Sequence, residues 1–241
     1  SDVCSSDLSG IASTIDSAVR DTGFKSAYDA LFYSAEAMSD QASMQSMPDA
    51  HIPSAHVWQL HNKYIFLQTP EGVVVIDQHI AHERILYEKA CTVLAEGTPN
   101  SQRLLFAVNV ELAPAERSIV EEIHSDLQRL GFDFTCTSTG VKLSAVPPEV
   151  RSGHEAGAFK EIIEQYSEYN NVRPAESRDN LAASFACRSS IKAGDPLRAP
   201  EMRALVEELF QTKTPEVCPH GRPVLIRFDL KEFDRRFGRT S

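Results

Sequence analysis

The stretch VIDQHIAHERILYEKA, residues 75–90, predicts a strand that leads directly into a helix. The run GVVVID that ends at its third residue is rich in valine and isoleucine, as buried strands are, and QHIAHERILYEKACTVLAEG has the spacing of a helix that ends at Gly97. Asp77 lies at the junction, and His79 and Glu83 follow on one face of the helix, one turn apart. With His82, this stretch therefore holds four side chains that can bind metal within seven residues.

The segments around this junction predict an α+β fold. Two hairpins are predicted, KYIFLQT with GVVVID and FDFTCTS with VKLSAVP, as well as strands in LLFAVNVEL and RPVLIRFDL. Helices are predicted over residues 114–131 and in HEAGAFKEIIEQYSEY, RDNLAASFACRSSIKAG and APEMRALVEELF, the last with Pro200 in its first turn. Paired strands without regular strand–helix–strand alternation are typical of the α+β class.

The charge of the chain is acidic, but it is unevenly distributed. The formal net charge is −10, and residues 1–50 contribute −6 of it, with two basic and eight acidic residues. We interpret residues 1–51, which are rich in Ser, Asp and Ala, as a disordered linker. Residues 217–241 hold six basic and three acidic residues. The composition argues against a generally basic nucleic-acid binder and leaves a basic end that can contact phosphates.

The expected compartment is the bacterial cytoplasm. No run approaches the roughly 18–20 apolar residues that cross a bilayer, and the first ten residues lack the pattern of a secretory signal, so no membrane partner is expected. The five cysteines are scattered and odd in number, which does not suit a disulfide framework. Metal binding or redox chemistry is the expected use of any functional cysteine.

Asp77, His79 and Glu83 alone do not establish a metal site, because a capping aspartate and a solvated helix face explain them as well. Two distant segments add further ligands, ACRSSIKAGD with Cys187 and CPHGRP with Cys218 and His220. These six residues exceed the four ligands of a structural zinc and indicate an open or binuclear site. Thiolate and imidazole favour Zn²⁺, while the carboxylates also accept Mn²⁺ or Mg²⁺, with one or two ions per chain.

These segments resemble the C-terminal endonuclease domain of the MutL family of DNA mismatch-repair proteins. The family motif D-Q-H-A-x-x-E-x-x-x-x-E is matched from Asp77 to Glu88, with Ile80 in place of alanine. The motifs A-C-R, C-P-H-G-R-P and F-x-R follow in the family's order at residues 186–188, 218–223 and 237–239. The resemblance covers about residue 56 to the end.

The resemblance implies a metal-dependent endonuclease that nicks double-stranded DNA and forms a homodimer. Asp77, Glu83 and His79 would be catalytic, and the metal ligands would be Asp77, His79, Glu83, Cys187, Cys218 and His220. It also implies two parts: a dimerisation and metal-site subdomain of β-sheet and helices, residues 52–88 and 179–241, and an inserted external subdomain, residues 89–178. The family's ATP-binding half would precede this chain.

The resemblance further implies partners. A sliding-clamp motif Q-x-[LI]-[LI]-x-P is approximated by QRLLFA, with Gln102, Leu104 and Leu105, and Ala107 in place of proline. The mismatch-recognition protein MutS would be met through the full-length protein, acting at the nucleoid. Because the domain is acidic, we expect it to bind DNA weakly by itself. The candidate phosphate contacts are Arg188, Lys192, Arg222 and Arg239, with Arg235 and Arg236 also nearby in the basic end.

Two other classes of protein stay open. A dimerisation and interaction module with a purely structural zinc would need the same cysteines and histidines, but a closed site would not need Asp77. A zinc hydrolase acting on peptides is disfavoured because the spacing H-E-x-x-H is missing, with HIAHE the nearest string.

Overall fold

Two antiparallel sheets organise the part of the chain that the computed structural model describes, residues 56–97 and 100–239. The strands are β1 (Val57–Leu60), β2 (Tyr64–Thr69), β3 (Gly72–Asp77), β4 (Gln102–Glu111), β5 (Asp133–Cys136), β6 (Gly140–Val146) and β7 (Leu225–Asp229). The helices are α1 (Gln78–Glu96), α2 (Pro114–Glu122), α3 (His124–Leu130), α4 (Glu155–Val172), α5 (Ser177–Ser189), α6 (Ala199–Gln211) and α7 (Leu230–Arg236), with a 3₁₀ turn at Pro174–Glu176. The predicted α+β class is confirmed.

The first sheet has the strand order β1-β2-β3-β7, and each neighbouring pair is antiparallel. One face is buried because side chains alternate along each strand, so Ile65, Ile76 and Leu225 lie in one row of the inner face. Ala81 and Ile85 of α1 pack on this face together with residues of α6. This layer holds the β3–α1 junction in place.

The outer face of the first sheet is also apolar. Trp58, Phe66, Val75 and Ile226 are paired across the four strands, and Trp58 stacks on Phe66 with ring centroids 5.3 Å apart. Trp58 and Ile226 are 43% and 49% exposed, although both are large and hydrophobic. An antiparallel sheet normally turns polar side chains to water, so this face has the composition of a contact surface. We call these four residues the apolar row.

The second sheet has the order β4-β6-β5 and forms its own core with α2 to α5. The second half of α1 joins this core through Ala90 and Leu94, so α1 spans both layers. The single helix predicted over residues 114–131 is wrong, because the backbone leaves helical geometry at Ile123, with φ −99° and ψ 17°. Ile123 is 3% exposed and lies in the same core as the buried residues of both helices, α2 and α3.

The helix α1 begins and ends where the sequence predicts. Asp77 Oδ1 accepts hydrogen bonds from the amides of His79 and Ile80, each 3.0 Å long, which satisfies two of the free donors of the first turn. Gly97 ends the helix with φ 73°, a left-handed conformation that glycine adopts without strain. Asp77 is therefore a capping residue, whatever else it does.

The predicted division into residues 52–88 with 179–241 and residues 89–178 stays a prediction, although two cores are present. Leu181 and Phe185 of α5 lie in the core of the second sheet. The predicted linker, residues 1–51, lies outside the described residues. Among the residues that are described, none of the helices combines the length and the apolar character needed to cross a membrane.

Candidate metal centre

His79 is fixed by the segment that follows α5. Its Nδ1 lies 2.7 Å from the carbonyl oxygen of Ile191 and 3.1 Å from Ser190 Oγ. A carbonyl can only accept, so Nδ1 carries a proton, and the neutral form of the ring has its lone pair on Nε2. Histidine ligands of metals commonly donate their other nitrogen to a backbone carbonyl in this way. The arrangement prepares His79 to bind an ion through Nε2.

His82, which can bind metal but is not among the six predicted ligands, holds the same peptide from the other side. The amide of Ile191 donates to His82 Nδ1 over 2.9 Å. Burial lowers the pKa of His82 to about 4, and the charge of Lys89 adds to the effect, so the ring is a neutral acceptor at pH 7. His79 and His82 are three residues apart on one helix and therefore lie on the same face. This spacing is the sequence signal that could have predicted their contact with one segment.

Gln78 is a structural part of the D-Q-H motif. Its side chain is fully buried, and Nε2 donates to the carbonyls of Asn62 at 2.7 Å and Asp195 at 3.0 Å. It therefore ties the turn between β1 and β2 to the segment after α5. Glu88, the last glutamate of the motif, accepts from the amide of Lys213 at 2.9 and 3.0 Å, which fixes the segment after α6.

Glu83 is the most unusual side chain of the site. It is fully buried, and neither carboxylate oxygen has a hydrogen-bond partner. His220 Nδ1 lies 2.9 Å from Oε1, close enough for an ion pair but without hydrogen-bond geometry, and Arg222 Nη2 lies 3.8 Å from Oε2. Burying a carboxylate without hydrogen bonds costs roughly several kcal/mol of folding free energy, so such a group needs a charged partner.

The segment Cys218–Pro223 forms a closed turn that brings His220 to Glu83. The amide of Cys218 donates to the carbonyl of Arg222 and that of Gly221 donates to Cys218, both over 2.9 Å, while Gly221 takes φ 77°. Cys218 is 3% exposed, and its Sγ accepts from the amide of Arg222 at 3.3 Å. Pro219, whose ring restricts φ, and Gly221, which adopts a positive φ without strain, suit this turn.

The thiol and the imidazole of this turn affect each other's ionisation. Burial opposes ionisation of Cys218, but hydrogen bonds from His220 and from the amides of Arg222 and His220 outweigh it and lower the pKa of the thiol. Contact with Cys218, and then with Glu83, raises the pKa of His220 to about 9. His220 Nε2 lies 2.7 Å from the hydroxyl of Tyr169, whose pKa burial raises to about 12.

Cys187 approaches from α5. It is half-buried, and burial, followed by the negative charge of Glu83, raises the pKa of its thiol. The nearby cations Arg188 and Lys192 act in the opposite direction. Cys187 therefore lies in the electrostatic neighbourhood of Glu83, although it makes no direct contact with Glu83 among the hydrogen bonds and ion pairs of the described residues.

The predicted ligands form two groups. Glu83 contacts His220, and His220 contacts Cys218. Asp77 and His79 lie at the first turn of α1, and within residues 56–97 and 100–239 their side chains make no hydrogen bond or ion pair with that group. Over the same residues, no three His, Cys, Asp or Glu side chains lie in an arrangement that could hold one ion.

The residues nevertheless fit a metal ion in their chemistry. Glu83 offers two buried oxygens that lack hydrogen bonds, Cys218 has a thiol whose pKa is lowered, and His79 is held in a tautomer with a free Nε2. Sulfur, nitrogen and oxygen donors together suit Zn²⁺, and the carboxylates also suit Mn²⁺ or Mg²⁺.

The predicted clamp segment lies at an irregular part of β4, where the register against β6 shifts between Arg103 and Val108. Leu104 is partly buried and packs on the core of the second sheet, while Leu105 is 97% exposed. Phe106, which the sequence did not single out, is 85% exposed beside it. Adjacent strand residues point to opposite sides, and the irregularity is what turns two neighbouring apolar side chains to solvent.

The predicted phosphate contacts are dispersed. Arg188 donates to Gln165 Oε1 over 2.7 Å and lies 3.8 Å from Glu161, and Arg222 lies beside Glu83. Lys192 is exposed. The guanidinium of Arg239 lies over the ring of Phe237, 5.8 Å from its centroid, near the described end of the chain. Arg188 and Lys192 are thus close to Cys187, and Arg222 is close to Glu83, whereas Arg239 belongs to the exposed end.

The fold and the site together define a class of protein: an α+β domain with an apolar sheet face suited to a partner and a buried carboxylate–imidazole–thiol group suited to a metal ion. Residues 57–197 match the family described as MutL C terminal dimerisation domain. This match covers more than half of the chain, and the chain belongs to this family.

Several curated proteins named DNA mismatch repair protein MutL are similar to this chain. The chain is 46% identical over 200 residues to the DNA mismatch repair protein MutL of Chlorobaculum parvum, covering 83% of this chain and 32% of that protein. It is 49% identical over 185 residues to the MutL of Chlorobaculum tepidum, covering 76% and 30%. The chain therefore spans about a third of the length of the curated relatives it matches.

Proposed function

We propose that this domain is a metal-dependent endonuclease that nicks double-stranded DNA during mismatch repair. The observation that carries the proposal is Glu83, a fully buried carboxylate without hydrogen bonds that faces His220 from a distant turn. His220 and Arg222 supply positive charge beside it but no hydrogen bond, and a metal ion bound to the two carboxylate oxygens would satisfy them directly. The relatives named DNA mismatch repair protein MutL support the process in which the nick would be made.

The proposed ligands are Asp77, His79, Glu83, Cys187, Cys218 and His220, for one or two ions of Zn²⁺, Mn²⁺ or Mg²⁺. A bound divalent ion supplies a Lewis acid for the phosphodiester and an activated water. The chain itself orients the donors: Ile191 fixes the tautomer of His79, and the turn at Gly221 directs His220 to Glu83. Arg222, 3.8 Å from Glu83, would contact a phosphate beside the ligands.

A second function, an interaction module with a structural zinc, is favoured by one observation. Glu83 contacts His220, His220 contacts Cys218, and Cys187 feels the charge of Glu83, so four donors would be available without Asp77, although among the described residues no three of them surround one ion position. Four such donors complete a closed zinc site. The two functions differ in Asp77, which only the nuclease requires.

Nicking of supercoiled plasmid by the 241-residue chain tests the proposal. We expect Mn²⁺-dependent conversion to the open circular form, stimulated by a bacterial sliding clamp and abolished by a chelator. Absence of nicking with and without the clamp, by a chain that binds zinc and remains dimeric, would favour the structural module. Fusion of the chain to the ATP-binding half of a relative distinguishes a domain that lacks the activity from one that needs its other half.

Glu83→Gln should remove most of the stabilisation that zinc gives to the chelator-treated protein. An ion at 100 times its Kd stabilises the folded state by about 2.7 kcal/mol, which raises the melting temperature by roughly 5–10 °C for a domain of this size. The amide keeps the volume of Glu83 but lacks the charge that binds the ion. The measurement is the melting temperature with and without zinc, for wild type and variant.

The matched control is Glu88→Gln on the same helix. Glu88 contacts Arg84 and the amide of Lys213, and none of the proposed ligands. The Glu88→Gln variant should therefore keep the full zinc-dependent rise in melting temperature. An equal rise in Glu83→Gln and wild type would contradict the assignment of Glu83 as a ligand.

We propose that the apolar row is the face through which two copies of the chain form a homodimer. The row is continuous across all four strands of the first sheet. The opposite face of that sheet is already covered by α1 and α6. Leu60 and Tyr64, paired at the sheet end, extend it and are 42% and 41% exposed. The family description as a dimerisation domain supports this use of the face.

We propose that the sliding clamp binds the exposed segment around Leu105. Leu105 and Phe106 offer two adjacent apolar side chains that can fill a groove, while Gln102 precedes them at the start of β4. Leu104 supports the segment from the core side. MutS and ATP are proposed as partners of the full-length protein, whose other half would compensate for the weak DNA affinity of this acidic domain.

A further inference from the structure

A cleft of about 220 Å³ lies beside the candidate metal centre. Its walls are the segment that precedes α4, the first turns of α4, and the end of α5 with the residues that follow it. Its polar lining is mainly basic, with Arg151, His154, Arg188 and Lys192 against Glu149 and Glu161. No function described above uses this cleft as a unit.

The cations of the cleft differ in how they are paired. Arg151 forms an ion pair with Asp195. Arg188, whose side chain is 34% exposed, lies 3.8 Å from Glu161, which is a long distance for an ion pair. The Lys192 ammonium has no hydrogen bond or ion pair with any residue of the described part of the chain. An unpaired ammonium on the wall of a cleft attracts an anion.

Two buried donors under the cleft have no acceptor. Arg188 Nε and Ser189 Oγ are both inaccessible to solvent, and neither has a hydrogen-bond partner among the described residues. Leaving a buried donor unsatisfied costs about 1–3 kcal/mol, so these two groups would gain from an acceptor oxygen only if their side chains turn toward the cleft.

Among the described residues, the lining of the cleft offers no platform for a base. The only ring among them is the imidazole of His154, and the others are aliphatic, charged or hydroxyl-bearing, with one glycine. Single-stranded bases and nucleosides are usually held by stacking on aromatic side chains. Positive charge and hydrogen-bond donors without such a side chain are typical of contacts to the phosphate backbone.

The cleft adjoins the proposed ligands through shared residues. Ser190, in the cleft wall, contacts His79 Nδ1 at 3.1 Å and donates to the carbonyl of Cys187 at 3.2 Å. Arg188 and Lys192 follow Cys187 in sequence, and their charges lower the pKa of its thiol. A group bound in the cleft therefore lies next to the donors from α1 and α5.

We propose that this cleft binds a backbone phosphate of the DNA strand next to the bond that is cut, with Lys192 and Arg188 as its contacts. The proposal rests on the endonuclease function for the role of the phosphate, but the binding itself requires neither metal nor cleavage. Lys192 and Arg188 are positioning residues in this arrangement. They hold the strand so that the neighbouring phosphodiester reaches the ligand group.

The test is a titration of the isotope-labelled, chelator-treated chain with a 12-base-pair duplex at low salt, followed by amide NMR spectra. We expect the largest shifts at Ser189, Ser190, Lys192 and Gly157. Lys192→Gln should weaken binding several-fold and reduce the slope of log affinity against log salt by about 0.9, the value for one phosphate contact. The substitution spares the local fold, because Lys192 contacts Gln78 and Asp195 through its backbone.

The matched control is Lys142→Gln, an exposed lysine on the second sheet, which should keep the wild-type affinity and slope. Shifts confined to other surfaces, no shifts at millimolar duplex, or an unchanged slope for Lys192→Gln would each overturn the proposal. Equal shifts with inorganic phosphate at the same concentration would overturn the assignment to DNA and leave a free anion site. A chain that binds the duplex here but never nicks plasmid would contradict the endonuclease instead, so the two failures are distinguishable.

Discussion

Asp77→Asn is expected to reduce metal-dependent nicking by at least about 100-fold, equal to about 2.7 kcal/mol of activation free energy, while the fold stays intact. The reason lies in the two roles of Asp77. Its Oδ1 caps α1 through the amides of His79 and Ile80, and its charge is available to a metal ion. Asparagine is as good a cap as aspartate but carries no charge, so only the second role is lost.

The comparison with Asp77→Ala separates the two roles. Alanine removes both the cap and the charge, so Asp77→Ala should lose nicking to the same extent as Asp77→Asn. It should also destabilise the protein by about 1 kcal/mol, a drop of roughly 2–4 °C in melting temperature. Plasmid nicking and thermal melts of the metal-free proteins measure both effects. Nicking by Asp77→Asn at the wild-type rate would remove Asp77 from the site, and an equal melting loss for both variants would contradict the capping argument.

The sequence predicts α1 well because the signals for its bounds are local. Asp77 before the first helical turn and Gly97 after the last define the ends without reference to the rest of the chain. Residues 114–131 show where local signals fail. Their periodicity predicts one helix, but Ile123 leaves helical geometry in the packed core, and only tertiary packing determines that.

The candidate site is predictable in residue type but not in its supports. His79, Glu83 and Cys218 are identified by their spacing and chemistry, whereas the contacts of Gln78 and His82 reach segments more than 100 residues away. Single-sequence patterns carry no information about such pairs. Phe106 was missed for a related reason, since strand alternation cannot predict a register shift against β6. The unsatisfied donors of the cleft likewise exist only after folding.

Ile226→Glu is expected to weaken the homodimer by at least about 100-fold. Ile226 ends the apolar row on the edge strand β7, where it pairs with Val75 and is 49% exposed within one copy. A carboxylate stays hydrated there in the monomer, so folding is little affected. In the proposed dimer it becomes buried without a partner, and a loss of about 3 kcal/mol or more is typical for an unpaired buried charge.

Sedimentation of the variant over a range of concentrations measures this effect, with Leu105→Glu as the matched control. Leu105 is 97% exposed on the second sheet, so the same charge there should leave the dimer intact and weaken binding to the sliding clamp instead. We therefore expect opposite losses: Ile226→Glu keeps the clamp contact and loses the dimer, whereas Leu105→Glu keeps the dimer and loses the clamp contact. An Ile226→Glu chain that remains dimeric at low micromolar concentration would move the dimer contact to another surface. Loss of the dimer in both variants would mean that the introduced charge acts on folding rather than on either contact.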